Sequence, residues 1–336
     1  MTDSPQPNQP GDPDMVAAIQ VSETGGPEVL RLTEVELPPP GPGEVTIDVL
    51  AAGVNFIDVY QRQGVYQRPL PYVPGSEGAG RVRAIGDGVD QVAVGDRVAW
   101  ASLPGSYAAA VTGPAHGLLA VPEAVDDDQA AALPLQGLTA HYLARDSYPV
   151  RPGDTVLVHA GAGGVGLLLT QICVILGARV ITTTSTEQKA ELSRAAGASE
   201  VIVGYDGFAD RVRELTDGAG VAAVYDGVGR DTFDDSLASL RRRGTMVLFG
   251  GSSGQVPPFD LQRLNAGGSL SITRPTMADF VATREELLGR ADELFGWLAE
   301  GRLGVRVGAS YPLAEAARAH DDLASRRTTG KVVLVP

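Results

Sequence analysis

Three glycines at fixed spacing form the strongest chemical signal in the chain. Gly161, Gly163 and Gly166 lie directly after the β-branched segment 155–159 and open an apolar helical segment that runs to Leu176. The first glycine permits a tight turn, the second lets the backbone approach a pyrophosphate, and the third allows close packing of helix on strand. The helix amino terminus supplies unpaired N–H groups to the phosphates. This order predicts a dinucleotide site; a glycine-rich turn without a ligand is the alternative.

The end of the next strand distinguishes NADPH from NADH. A cofactor with a free 2′-hydroxyl favours an acidic residue about 20 residues after the start of the motif. Residues 182–186 read Thr-Thr-Thr-Ser-Thr instead, Lys189 follows one turn later, and Glu187 is the one nearby acid. Hydroxyl groups and an ammonium suit a 2′-phosphate, so the sequence favours NADPH. The alternative for Lys189 is a solvated helix residue.

The elements that must position these residues fall into two kinds. Residues 155–273 alternate between apolar strands and helical segments, which predicts an α/β domain with a parallel sheet and right-handed crossovers. The first 120 or so residues instead read as short strands with glycine turns, typical of a small β-barrel-like domain. A length of 336 residues is enough for two domains, each with its own core.

Composition excludes several classes of protein. The net charge is −14, a poor match to nucleic acid or anionic lipid, and no apolar run is long enough to span a membrane. A single cysteine, Cys173, excludes an intramolecular disulfide and a zinc cluster built from cysteines. Residues 1–14 read as a loose tail without the features of a signal peptide, and the location expected from these observations is the cytoplasm.

Ordered motifs along residues 15–336 carry a family resemblance. They are GGPEVL (25–30), GVNFID (53–58), GSEGAG (75–80), GDRV (95–98), GLTA (137–140), the glycine motif, YDGVG (225–229) and Thr273-Arg274-Pro275. The chain resembles the zinc-independent quinone oxidoreductase branch of the medium-chain dehydrogenase/reductase superfamily. The resemblance implies a GroES-like β-barrel domain (15–137 and 277–336), a Rossmann doubly wound parallel-sheet domain (138–276), and a cofactor cleft between them.

The resemblance also implies particular site residues. Tyr60 and Tyr66 are expected to contact the acceptor, either as a hydrogen-bond or proton donor or only as a flat aromatic wall. Of two adjacent arginines, Arg326 is the expected cofactor contact, with Arg327 as the alternative. Tyr205 stands one residue beyond the family's adenosine tyrosine, where this chain has Gly204. The expected contacts to NADPH are Asn55, Phe56, Asp58, Thr139, Tyr142, Gly161, Gly163, Gly164, Val165, Gly166, Ser185, Lys189, Tyr205, Phe249, Gly250, Gly251, Ser252, Ser253, Thr276 and Arg326.

No metal is expected. Asn55 and Ser76 occupy the positions at which the superfamily's zinc enzymes place a cysteine and a histidine, and neither amide nor hydroxyl replaces thiolate or imidazole. The four histidines, His116, His141, His159 and His320, lack ligand spacing and are expected on the surface or in packing roles. Asp58 is open to two interpretations, a structural hydrogen-bond acceptor or an acid–base group.

These features together predict hydride transfer from NADPH to a quinone or similar conjugated carbonyl, an acceptor that needs little electrophilic help. The alternatives are an NADPH-dependent enone or 2-alkenal double-bond reductase and a non-catalytic NADPH-binding protein. The loop at 250–254 is expected to expose backbone N–H groups towards the nicotinamide. The strand at 269–273 is expected at a sheet edge, where it would pair in a homodimer.

Overall fold

The structure, a computed structural model, describes residues 14–336. The expected tail therefore lies outside the described residues except for Asp14. That residue begins the first strand, and its carboxylate is 2.8 Å from the Arg83 guanidinium, so it belongs to the fold rather than to the tail. The chain divides into two compact units. Of the described residues, unit 1 comprises 14–131, Ser310–Ser325 and Val332–Pro336, and unit 2 comprises Ala132–Ala309 and Arg326–Lys331.

The first part of the chain is mostly strand. Its elements are β1 (Asp14–Gln20), β2 (Arg31–Leu37), β3 (Glu44–Val54), α1 (Phe56–Arg62), β4 (Glu77–Ile85), β5 (Arg97–Trp100), β6 (Ala110–Pro114), β7 (Leu119–Ala120) and α2 (Asp127–Ala132).

The middle of the chain alternates strand and helix. Its elements are α3 (Pro134–Tyr142), β8 (Thr155–Val158), α4 (Gly164–Ile175), β9 (Arg179–Thr184), α5 (Glu187–Ala195), β10 (Glu200–Val203), α6 (Phe208–Leu215), β11 (Val221–Asp226), α7 (Phe233–Ser239), β12 (Leu240–Leu248), α8 (Gln262–Ala266), β13 (Ser271–Thr273), α9 (Met277–Phe280) and α10 (Arg284–Ala299).

Three elements close the chain: β14 (Val307–Pro312), α11 (Ala316–Ala324) and β15 (Lys331–Val335). In unit 1, strand β3 is central to a sheet of order β14-β15-β3-β4-β5-β7, and β6 also pairs with β3, while β1 and β2 form a separate antiparallel ribbon. The neighbours of β3, namely β4, β6 and β15, all pair with it antiparallel. Its residues Val45 and Ile47 are fully buried, as is Trp100 on β5, so the core of unit 1 lies against this sheet.

Unit 2 contains a parallel sheet of six strands in the order β10-β9-β8-β11-β12-β13. Numbered from β8, that order is 3-2-1-4-5-6, the arrangement of doubly wound dinucleotide-binding domains, in which the chain reverses direction between the first and fourth strands. Leu157, Val224 and Met246 from neighbouring strands are fully buried in one core cluster. Strand β13 lies at the edge, as the sequence predicts.

The division of the chain differs from the expected one over residues 132–137, 277–309 and 326–331, which group with unit 2 rather than with the barrel domain. For residues 277–309 the reason is the packing of α10 on α3. The Glu293 carboxylate accepts a 2.6 Å hydrogen bond from His141, and Arg290 donates to Asp146. A Cβ at Gly137 would lie 2.8 Å from Leu133 and 3.2 Å from Leu294, so this glycine lies inside α3 for close packing and does not break the helix.

No helix among residues 14–336 is both long enough and apolar enough to cross a membrane.

Candidate functional site

The glycine turn joins β8 to α4 at the point where the parallel sheet of unit 2 reverses direction. A Cβ at Gly161 would lie 2.6 Å from the Ser193 hydroxyl and 2.7 Å from Thr182, and a Cβ at Gly166 would overlap the Ala160 carbonyl oxygen. Any larger residue would force both the turn and the first helical turn apart. The sequence-based roles of these two glycines, tight turn and close helix packing, therefore match the contacts.

Gly163 differs from the other two glycines because its surroundings are open. A Cβ there would contact only the Ala160 carbonyl oxygen, at 3.2 Å. Gly163 is also the N-cap residue of α4, and no side chain caps this helix. The first N–H groups of the helix thus lack a side-chain acceptor next to an uncrowded backbone, which fits a phosphate group. Beside it, the Gln136 side chain occupies the space that a Cβ at Gly164 would need, a close approach that the sequence pattern does not indicate.

The end of β9 carries the candidate phosphate side chains. The Lys189 ammonium donates a 2.6 Å hydrogen bond to the backbone carbonyl of Arg326. Burial, with a smaller contribution from the Arg326 guanidinium, lowers the pKa of Lys189. Ser185 is exposed nearby in sequence, and Glu187 forms a 2.6 Å ion pair with Arg194. The one acid in this segment is therefore paired within its own helix, and the two cations lie close to each other.

Segment 326–331 runs along the glycine turn. The Gly330 N–H donates a 3.0 Å hydrogen bond to the Ala162 carbonyl, and Gly330 forms a parallel bridge with Gly163. Arg326 has a φ of 57°, in the left-handed region. Arg326, expected from the resemblance as a cofactor contact, thus belongs to unit 2 together with the neighbouring Arg327, in the segment whose Gly330 contacts the turn.

A buried polar network lies beneath the turn, and nothing in the sequence pattern indicates it. His159, which follows β8, bonds to the Thr183 hydroxyl at 2.8 Å and to the Ser236 hydroxyl at 2.9 Å. The Asp226 carboxylate at the end of β11 accepts from the Ser236 and Thr232 hydroxyls and from two backbone N–H groups of residues 228–229. Burial lowers the pKa of His159, so the imidazole is neutral.

Tyr205 lies near this network. Its ring centroid is 6.0 Å from that of His159, and the phenol is half-buried. Burial raises its pKa, and a hydrogen bond to Thr183 and the charge of Arg326 act in the opposite direction. Gly204 has a φ of 94° and lies in open space, so this glycine turns the chain immediately before the tyrosine.

The loop after β12 corrects one expectation. The N–H groups of Phe249 and Gly250 donate to the Asp226 carbonyl, and those of Ser252 and Ser253 donate to the carbonyls of residues 227 and 228. These donors are therefore used inside the protein and are not exposed for a ligand. Glycine at position 250 makes this possible, because a Cβ there would lie 2.6 Å from the Gly227 carbonyl oxygen. Gly251, the fifth candidate in the loop, is half-buried.

Three further candidates of unit 2 lie on two neighbouring helices, α3 and α9. Thr139 and Tyr142 are buried on α3, and Thr276 is the N-cap residue of α9. The Tyr142 ring stacks on that of Phe280 with centroids 4.4 Å apart and planes 5° from parallel. Burial raises the pKa of Tyr142 to about 12, so it remains a phenol at any physiological pH. Val165 is half-buried in the first turn of α4.

The candidates of unit 1 cluster at the amino terminus of α1. The Asp58 carboxylate accepts a 2.9 Å hydrogen bond from the Asn55 N–H, the contact of a capping box. The Asn55 side-chain amide in turn donates a 2.8 Å hydrogen bond to the Glu77 carboxylate. All three residues are buried. Asn55, which stands where the resemblance expects a zinc-ligating cysteine, therefore uses its side-chain amide to donate a hydrogen bond to Glu77.

Aromatic rings follow along the same helix. The ring centroids of Phe56 and Tyr60 are 6.1 Å apart, and those of Tyr60 and Tyr66 are 5.9 Å apart with planes at 72°. Phe56 and Tyr60 are half-buried, whereas Tyr66 is 44% exposed. We call these three rings the aromatic face. It provides apolar area with two phenol groups, a surface that suits a flat ring.

The histidines occupy the packing and surface positions expected for them. His141, His159 and His320 are buried and bonded to protein groups, and His116 is exposed. Within residues 14–336, no cluster of three or more His, Cys, Asp or Glu side chains has the arrangement of a metal site.

Known proteins match both parts of the chain. The family described as alcohol dehydrogenase GroES-like domain matches residues 41–134, and the family described as zinc-binding dehydrogenase matches residues 164–292. A quinone oxidoreductase of Pseudomonas aeruginosa is 46% identical over 325 residues, which are 96% of this chain and 100% of the relative.

Two further relatives are similar over the same length. The structure of Escherichia coli quinone oxidoreductase complexed with NADPH superimposes with a TM-score of 0.93 at 43% identity, covering 95% of this chain and 100% of that chain. A 2-haloacrylate reductase of Burkholderia is 41% identical and covers 96% of this chain and 99% of its own length.

A GroES-like domain together with a doubly wound nucleotide-binding domain defines an oxidoreductase of the medium-chain dehydrogenase/reductase superfamily. This confirms the fold class expected from the sequence. Within the superfamily, the chain belongs to the quinone oxidoreductase family.

Proposed function

We propose that this protein is an NADPH-dependent reductase that transfers a hydride to a quinone. One observation carries the proposal. The uncapped helix at Gly163 lies at the reversal point of the parallel sheet, and the strand that should supply an acid for NADH instead leads to Lys189, which lies beside Arg326. Phosphate-binding geometry and two cations without a repelling carboxylate favour NADPH. The relatives that are quinone oxidoreductases support the choice of acceptor.

Separate groups of residues fit the pyrophosphate, the 2′-phosphate and the acceptor. NADPH, when bound, supplies the hydride. The turn at Gly163 would hold the pyrophosphate, and Lys189 and Arg326 would hold the 2′-phosphate. The aromatic face would hold the acceptor ring flat by stacking. A quinone that gains one hydride and one proton becomes a hydroquinone, and the proton is available from water or from a phenol of the aromatic face.

The test is a comparison of acceptors and donors under steady-state conditions. Purified protein should oxidise NADPH in the presence of 1,4-benzoquinone with a higher kcat/KM than with a 2-alkenal, and NADPH should be preferred over NADH. Absence of quinone turnover would reject the proposal. Tight NADPH binding without oxidation by any quinone would point instead to a non-catalytic binding protein.

A second candidate is a reductase of conjugated double bonds. The observation that favours it is the 2-haloacrylate reductase among the relatives. Hydride addition to the β-carbon of an enone uses the same donor and the same flat, conjugated acceptor. A kcat/KM for 2-alkenals or 2-haloacrylates above that for quinones would select this activity.

We further propose a homodimer that pairs through β13 and a cytoplasmic location. Support for the dimer is the place of β13 at the edge of the sheet with an exposed Ser271 and half-buried Ile272, since open edges tend to be paired or covered. Light scattering should give twice the chain mass, and Ile272→Pro should give monomers if the edge is the interface.

The proposed location has its own support. The buried free thiol of Cys173 accords with a reducing compartment, and cell fractionation would test the cytoplasmic location.

A further inference from the structure

A chain of buried polar groups in unit 1 has no role in the function proposed above. It connects α1, the loop before β6 and α11. The Tyr107 hydroxyl is 3.0 Å from Oδ2 of Asp58 and 3.1 Å from Nε2 of His320, although His320 is 213 residues away in sequence. The Tyr107 and His320 side chains are fully buried, and their rings meet edge to face at 5.7 Å. Buried polar groups of this kind are retained where their bonds fix a geometry.

The donors and acceptors can be assigned from the contacts. Oδ2 of Asp58 already accepts the Asn55 N–H and, as a carboxylate oxygen, also accepts the single proton of Tyr107. The hydroxyl of Tyr107 then has only a lone pair to offer His320, so Nε2 of the imidazole must carry a hydrogen and donate it. Nδ1 is left as the bare nitrogen, and it has no hydrogen-bond partner among residues 14–336. Burial lowers the pKa of His320 to about 3, which agrees with a neutral ring.

The direction of the bonds runs from α11 to α1. His320 donates to Tyr107, Tyr107 donates to Asp58, and Asp58 accepts the N–H of Asn55 at the start of α1. That helix has only seven residues, too short to be stable by itself, so its orientation depends on such tertiary contacts. Phe56 and Tyr60 of the aromatic face lie on it.

We propose that Tyr107 and His320 are positioning residues for the acceptor: they hold the Asp58 carboxylate in place and thereby fix the aromatic face on α1. This inference rests on the proposed function, since it concerns the same acceptor site. The side-chain hydrogen bonds of Tyr107 and His320 go to each other and to Asp58. Their effect on catalysis is through Asp58 and the orientation of the helix.

The test compares two replacements of similar size at one position. His320→Gln keeps an N–H donor near the place of Nε2, whereas His320→Leu removes it. His320→Leu and Tyr107→Phe should lower kcat/KM for 1,4-benzoquinone between about 10-fold and about 100-fold, the range in which a misplaced positioning group acts. His320→Gln should restore most of the lost activity. The Kd for NADPH should change much less than kcat/KM, because the proposed phosphate site lies in unit 2.

Ser106→Ala is the matched control. It removes a buried hydroxyl next to Tyr107 that bonds to Trp100 and to the Leu103 carbonyl and not to α1. Its kcat/KM should equal that of the unmodified protein. If His320→Leu is as active as the unmodified protein, or His320→Gln is no better than His320→Leu, the positioning role is wrong. The same holds if Ser106→Ala loses as much activity as Tyr107→Phe.

A second measurement needs neither a folded variant nor catalysis. In the unmodified protein labelled with ¹⁵N-histidine, the two-bond proton–nitrogen spectrum should show His320 as the neutral Nε2–H tautomer. An Nδ1–H tautomer or a charged imidazolium at neutral pH would overturn the network. Lack of quinone turnover in the unmodified protein would reject the proposed function alone, because the tautomer would still report on the bonds from His320 to Asp58.

Discussion

The ammonium group of Lys189 donates a hydrogen bond of 2.6 Å to the backbone carbonyl of Arg326. The lysine follows β9 in the middle of the chain, whereas the arginine lies in the segment between α11 and β15, near the carboxyl terminus. The contact brings two cations close together, at a residue whose φ is positive. A 2′-phosphate at this place would relieve the repulsion that contributes to the lowered pKa of Lys189.

Replacing Lys189 with Glu should separate the two nicotinamide cofactors. A carboxylate would repel the 2′-phosphate and remove a charged donor, so the Kd for NADPH should rise about 100-fold while the Kd for NADH changes little. Fluorescence titration of both reduced cofactors measures this. Gln188→Glu places a carboxylate one residue earlier, at an exposed position of α5, and serves as the control. Equal losses for NADPH and NADH would contradict the phosphate role of Lys189.

Replacing Gly166 with Ala should destabilise the protein. The new methyl group would overlap the Ala160 carbonyl oxygen, a backbone atom that cannot move without opening the turn. The free energy of unfolding in urea should fall by about 1 to 3 kcal/mol, the usual cost of overpacking, and NADPH binding should weaken. Gly289→Ala, in α10 with no atom within 4 Å of the added carbon, should instead raise stability by up to about 1 kcal/mol. A neutral effect of Gly166→Ala would show that the helix can withdraw from the turn.

The fold should lose stability in mild acid. Burial lowers the pKa of His141, His159 and His320 in the folded protein, so each stays neutral there but gains a proton near its ordinary pKa when unfolded. The unfolded chain therefore binds more protons as the pH falls below 6.5, and for His320 this difference persists down to about pH 3.

The contribution of one histidine can be measured with the variant already described. Between about pH 7.5 and about pH 5.5, a buried neutral histidine reduces the free energy of unfolding by about 1.4 kcal/mol. The glutamine in His320→Gln cannot gain a proton. The free energy of unfolding of this variant, measured in urea, should therefore fall by about 1.4 kcal/mol less over this pH interval than that of the unmodified protein. An identical pH dependence in the two proteins would mean that His320 binds a proton equally in the folded and the unfolded protein.

Conservative replacements of Tyr60 and Tyr66 should show whether these residues only stack against the acceptor or also donate a proton to it. Loss of a proton donor from the transition state costs about 100-fold or more, whereas loss of a hydroxyl from a stacking ring costs little. Tyr60 contacts both Phe56 and Tyr66 through its ring, so we expect a wall. Tyr60→Phe and Tyr66→Phe should keep quinone kcat/KM within about threefold, and Tyr60→Leu should not. A solvent isotope effect that disappears in Tyr60→Phe would assign the proton to that residue.

Much of the nucleotide-binding half could be predicted because its signals are local. Gly161, Gly163 and Gly166 are close in sequence, and their roles follow from the strand before them and the helix after them. Alternation of strand and helix indicated the parallel sheet, although the grouping of residues 277–309 depended on how α10 packs on α3, which periodicity does not reveal.

Features that depend on distant residues could not be predicted. Tyr107 and His320 are separated by 213 residues, and nothing near either one in sequence indicates a partner. The loop at 250–254 has the composition of an open turn, yet the N–H groups of Gly250, Ser252 and Ser253 donate to the carbonyl groups of residues 226–228. A glycine-rich sequence allows both arrangements, so tertiary hydrogen bonding decides between them.

The place of β15 in the fold bears on how the protein forms during synthesis. Val332–Leu334 pair with β3, yet about 280 residues separate the two strands along the chain. On the ribosome, unit 1 can complete its sheet only after β15 has emerged, by which point most of unit 2 has already been synthesised. A circular permutant that joins β15 directly to the start of the barrel would remove this delay.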